Sequence, residues 1–145
     1  MKEQLKSLII LGFYKEAKKI FFNMSENEAR ECLMELGYEK ESITIYGFLC
    51  SALCDREGAK LHYLASEVLT MPLCHLDGAY ATGFYHAKKA AQMRPDDVEL
   101  KEALLLFYNI PEKLLNKEDA SKLAKDILAK KPQSKAAIDI LKEIK

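Results

Sequence analysis

Apolar residues recur at three- and four-residue intervals along almost the whole chain, and no stretch alternates apolar and polar positions over the length of a strand. That period is helical. Leu5, Leu8 and Ile9 predict a first helix over Lys2–Leu11, which Gly12 closes as a left-handed C-terminal residue. Ala17, Ile20, Phe21 and Met24 predict a second over Tyr14–Asn23. Ser25 and Glu28 form a capping-box pattern that opens a third, Glu26–Leu36, with Ala29, Cys32, Leu33 and Leu36 inward and Gly37 as its stop. A fourth is expected over Glu39–Cys54, although Ser42–Leu49 contains β-prone Ile43, Ile45 and Tyr46. Glu57–Thr70 carries Leu61, Leu64, Ala65 and Val68, and ends before a loop around Pro72.

The longest predicted helix is Leu76–Asp97, with Asp77 as its expected cap. Ala79, Gly83, Ala87 and Ala91 recur there every fourth position, a stripe that lets a neighbouring backbone come close. Tyr80 and Phe84 supply bulk beside it. Asp96 or Asp97 is expected to cap Val98–Asn109, and Pro111 marks a break. Leu123, Ile127 and Leu128 predict a helix over Ala120–Lys130, stopped by Pro132. Ser134 is expected to cap Lys135–Ile144, striped by Ile138, Leu141 and Ile144. The expectation is an all-α chain of about nine helices joined by short links.

The segment Leu11–Phe21 returns in kind at Leu36–Tyr46, with leucine, glycine, an aromatic, Lys-Glu, a small residue, isoleucine and an aromatic in step. A helix–glycine–helix turn used twice predicts successive hairpins sharing a core. The later chain resembles the tetratricopeptide repeat, a helix pair of about 34 residues. Leu61-x2-Leu64-Ala65-x2-Val68 stands at the family's first-helix positions, and Gly83-x3-Ala87, Ala90 and Pro95 at its second. Leu104-Leu105-x2-Tyr108, then Ala120-x3-Ala124 and Pro132, repeat the order, and Ala17-x3-Phe21 matches the second-helix pattern earlier, with Ser42-x3-Tyr46 approximating it. Tryptophan is absent, and Ala87 and Ala124 stand where the family has a bulky residue. The resemblance implies an α-solenoid of stacked antiparallel hairpins in a single domain. Residues 1–56 would form its N-terminal hairpins, and 57–145 the tetratricopeptide-like hairpins with a capping helix. It further implies a groove for a partner peptide, faced by His62, Ser66, Glu99, Glu102 and Asn109.

Charge narrows the classes of partner. Twenty-two basic residues balance 22 acidic ones in 145, so no field of one sign draws in nucleic acid or an acidic membrane. Lys88, Lys89 and Arg94, with His86 nearby, form a small basic cluster that reads as a solvated helix face. The apolar run Leu8–Leu11 is too short for a signal core, and no segment has the length of a spanning helix. A cytoplasmic location is expected. There, Cys32, Cys50, Cys54 and Cys74 read as reduced packing residues rather than as disulfides.

A zinc site built from Cys50, Cys54, Cys74 and a histidine is the sharper reading of those residues. The CxxxC spacing inside an apolar helix disfavours it against loop knuckles. Cys74-His75 suggests a thiol and base, but sequence neighbours rarely have the geometry that nucleophilic catalysis needs, and no phosphate loop, HExxH or G-x-S-x-G occurs. Tyr14, Tyr38, Tyr63, Tyr80, Tyr85 and Tyr108 stand near helix starts or inward faces and read mostly as core. The chain is therefore expected to be a non-enzymatic protein–protein interaction module, without metal or cofactor. A dedicated chaperone or immunity-type partner fits its size, as does a homodimer. The alternative is a small helical enzyme or ligand carrier with a closed pocket lined by His62, His75 or His86.

Overall fold

The computed structural model describes residues 1–144, so Lys145 lies outside the described residues. Among them the chain is all-α, without a strand: α1 (Lys2–Ile10), α2 (Tyr14–Phe21), α3 (Glu26–Lys40), α4 (Thr44–Asp55), α5 (Ala59–Thr70), α6 (Ala79–Met93), α7 (Val98–Leu105), α8 (Lys117–Lys130) and α9 (Lys135–Ile144). A 3₁₀ turn, Leu106–Tyr108, extends α7. None of these helices is long and apolar enough to cross a membrane.

Side-chain caps set several boundaries by accepting amides that lack helical partners. Ser25 Oγ accepts the Glu28 amide at 3.2 Å, Asp97 Oδ1 that of Leu100 at 3.2 Å, and Ser134 Oγ that of Ala137 at 3.4 Å. Asn116 Oδ1 takes the Asp119 amide at 2.8 Å, which starts α8 ahead of the expected Ala120. Asp77 does not cap α6. The cap position belongs to Gly78 at φ 79°, with no side-chain bond, so the helix starts at Ala79 rather than Leu76. In α9 the buried residues are Ala137 and Ile140, with Leu141 and Ile144 packed beside them.

The repeated glycine turn does not survive folding. Gly12 has φ 80° and turns the chain between α1 and α2. Gly37 lies inside α3, which runs on to Lys40 before Glu41 takes the left-handed turn at φ 50°. A Cβ on Gly37 would stand 2.7 and 2.8 Å from Cγ and Cβ of Pro72. Glycine serves there as a place for a proline ring, and α4 consequently begins at Thr44 instead of Glu39. Gly37→Ala should lower stability by roughly 1–2 kcal/mol in urea titrations, because overpacking against the stiff ring outweighs about 1 kcal/mol of gained helix propensity.

Two large apolar clusters form. The first gathers α1 to α5 around Leu5, Ile9, Leu33, Phe48 and Val68; the second gathers α6 to α9 around Leu105, Phe107, Ile127 and Ile140. Lys6 ties α1 to α3 with its amine 2.7 Å from Glu39 and 3.1 Å from Glu35, and those carboxylates raise its pKa. The most extensive helix contact, α5 on α6, joins the two halves. Small residues make it close: Ala79, Gly83, Ala87 and Ala90 are buried, and a Cβ on Gly83 would meet the Thr70 methyl at 2.7 Å. The deepest residue at the end of the stripe is Ala90 rather than Ala91, because four-residue steps drift around a helix of 3.6 residues per turn.

Candidate functional site

An open groove of about 650 Å³ runs between the end of α2, the start of α3, one face of α5 and the α6–α7 connection. Phe21, Phe22, Leu61, Leu64 and Leu100 provide apolar lining, and Tyr63 adds an aromatic with a polar tip. Lys60, Tyr63, Leu64 and Glu67 all line it because steps of three and four residues lie on one helical face. Burial raises the pKa of the Tyr63 hydroxyl, with the nearby Glu67 carboxylate as a lesser cause.

Charges of both signs surround this floor. Arg30, Arg56, Lys60 and Arg94 face Glu26, Glu67, Asp97 and Glu99. Arg30 grips Glu67 with two nitrogens, Nε at 3.1 Å and Nη2 at 2.7 Å. This forked geometry fixes both side chains better than a single ion contact does. Lys60 reaches Glu26 at 2.6 Å, and the Arg56 guanidinium lies 4.4 Å over the Phe22 ring. Arg56 and Arg94 have no carboxylate partner among the described residues.

Only part of the groove expected from the repeat register lies here. Glu99 lines it. His62 and Ser66 do not: they are 3% and 5% exposed and turn toward the interior, while their neighbours Leu61, Tyr63 and Glu67 take the groove face. Glu102 accepts from Ser134 Oγ at 2.6 Å and pairs with Lys131 at 3.3 Å, which binds α7 to the start of α9. Asn109 is exposed beyond the 3₁₀ turn and lies outside the groove lining. His62 and Ser66 point inward because α5 is covered by α3, α4 and α6, and apolar spacing alone leaves the rotation of such a helix open.

The turned-in His62 meets a second histidine. Its Nδ1 lies 2.9 Å from Nδ1 of His86, and its Nε2 lies 2.8 Å from Glu57 Oε2. His86 Nε2 in turn lies 2.7 Å from the Tyr46 hydroxyl. Four side chains from α4, the α4–α5 link, α5 and α6 thus form one continuous hydrogen-bonded chain across the α5–α6 seam. Burial, followed by the neighbouring His62, lowers the His86 pKa to about 4, and the His62 contact lowers that of Glu57. Burial raises the Tyr46 hydroxyl, with Cys50 as the next cause. No sequence motif announces this chain. The available signal was that His86 sits within the small-residue stripe, where a partner helix must approach.

The remaining candidates separate. His75 is exposed, 3.7 Å from Glu41, and does not join His62 and His86 around a shared cavity. Cys32 is buried, Cys50 and Cys74 are half-buried, and Cys54 is exposed, so Cys54 is not a packing residue. Among the described residues no three metal-ligating side chains converge. Lys88 reaches over the Phe84 ring at 5.2 Å, Arg94 turns to the groove, and His86 is buried, so these do not form one patch. Tyr38 and Tyr85 are exposed rather than core. Comparison with known protein families, curated proteins and solved structures gave no match.

Proposed function

We propose that this protein is a non-catalytic binding module that holds a segment of a protein partner in the groove between α2, α3 and α5. The observation that carries this reading is the groove's composition. Three arginines, a tyrosine and two phenylalanines line one open channel. These residue types dominate the energy of protein interfaces, and an apolar floor with a mixed charged rim is how such interfaces are built. A small-molecule site would gather a few polar groups on one enclosed point, whereas here the charges lie along an open length.

The stacked-hairpin reading belongs to the same proposal. Consecutive helices pack on one another from α4 through α9, and alternate helices also touch at α3–α5 and α7–α9. Contacts between neighbouring and next-neighbouring helices support a tetratricopeptide-like stack, whose elements each bury one face on the next.

Partner capture from the native cell, compared between groove variants, tests the proposal. Tyr63→Ala and Arg94→Glu should each weaken the captured partner's affinity by at least about thirtyfold, the scale of an interface hot spot. Asn109→Ala, outside the groove, should leave it unchanged. Full binding by both groove variants, with folding intact by circular dichroism, would overturn the assignment.

A further inference from the structure

We propose that Glu57, His62, His86 and Tyr46 form a single-proton site in which one added proton reverses the direction of the whole hydrogen-bonded chain. None of the four lines the groove, so the site stands apart from partner binding.

The geometry leaves little freedom. Three contacts of 2.7, 2.8 and 2.9 Å join four groups, and each contact needs one proton between its two heavy atoms. With Glu57 ionised and both imidazoles neutral, only one arrangement satisfies all three. His62 carries its proton on Nε2 and donates to Glu57. Its bare Nδ1 then accepts from His86 Nδ1–H, and the bare His86 Nε2 accepts from the Tyr46 hydroxyl. His86 is thereby held as the Nδ1–H tautomer, since the partner of one ring nitrogen decides where the proton sits.

A further proton has one favourable resting place. On His62 it lies between the Glu57 carboxylate and a neutral ring. On His86 it would be a buried charge, which its surroundings oppose. Once His62 donates from both nitrogens, His86 Nδ1 must accept. The His86 proton moves to Nε2 and is donated to the Tyr46 oxygen. The Tyr46 hydroxyl proton then turns away from His86. Proton count balances: one enters and none leaves.

The other groups facing the chain are few. Tyr85 stacks edge-on against His86 with ring centroids 5.1 Å apart, and Lys89 acts on Glu57 from α6. Glu57 is half-exposed while both imidazoles are buried, so the proton enters at the Glu57 end and is read at Tyr46 across the seam.

Long-range nitrogen–proton NMR of ¹⁵N-histidine-labelled protein tests this directly. At neutral pH and above, His62 should be the Nε2–H tautomer and His86 the Nδ1–H tautomer. On acidification His62 should gain its second N–H at the same midpoint at which His86 changes tautomer. Glu57→Gln removes the carboxylate charge from a half-exposed position, and should lower that shared midpoint by roughly one pH unit or more, about tenfold in proton affinity. An Nε2–H His86 at neutral pH would overturn the proposal. So would separate midpoints for the two rings, or a Glu57→Gln shift confined to His62.

Discussion

Phe48→Ala is expected to cost about 3–5 kcal/mol of folding stability, well beyond the loss that Gly37→Ala brings. Phe48 is fully buried on α4, with the Tyr14 ring 5.7 Å away and the Phe21 ring 5.2 Å away, both edge-on. Truncation removes the transfer free energy of the ring and leaves a cavity that its neighbours cannot fully close. Edge-to-face contacts with two rings add roughly 0.5–1.5 kcal/mol each beyond burial. The flanking geometry is also tied: Tyr14 donates its hydroxyl to the Thr44 carbonyl at 2.6 Å, so its ring cannot swing into the vacated space without losing that bond. Equilibrium denaturation should show the midpoint shift. A loss below about 1 kcal/mol would mean that the first core rearranges freely around α4, contrary to close packing.

Acid should weaken the fold through His86. The folded protein holds this imidazole neutral down to about 4, against an ordinary value of 6.5, chiefly because it is buried. Between those values the unfolded chain binds the proton and the folded chain does not. The unfolded state is therefore favoured as pH falls, so this stabilisation is complete above about 6.5 and lost by about 4. The separation corresponds to about 3 kcal/mol. Urea titrations between pH 7.5 and 4 should show the decline, and His86→Gln should remove about one proton from its slope. A His86→Gln slope equal to that of the unaltered protein would show that His86 is not protected from protons.

The helices were legible because each one repeats its apolar residues at a helical period and several carry a recognisable cap. Ser25, Asp97 and Ser134 cap as their sequences imply, and each such bond is made within three residues. Local chemistry decides local structure in those places. Gly37 shows where that logic stops. A glycine after an apolar run looks the same whether it ends a helix or admits a neighbour. The deciding group, Pro72, lies on another part of the chain.

The candidate site was less legible, for a related reason. Helix α5 reads AKLHYLASEVLT, apolar on more than one side, so its sequence permits several rotations. Packing on α6 selects the one that turns His62 and Ser66 inward and presents Tyr63 and Glu67 to the groove. The groove itself is a product of assembly. Its arginines come from α3, the α4–α5 link and the end of α6, and no short segment holds more than one of them.

By itself, then, the sequence determined the all-α class, most helix positions and the small-residue face of α6, because these depend on residues within one or two turns of each other. Tertiary structure decided the rest. It set α5's rotation, seated a proline ring against Gly37, and brought Glu57, His62, His86 and Tyr46 into one hydrogen-bonded line. Those outcomes depend on which helix faces meet, and the free energy that chooses between faces comes from burying both partners at once.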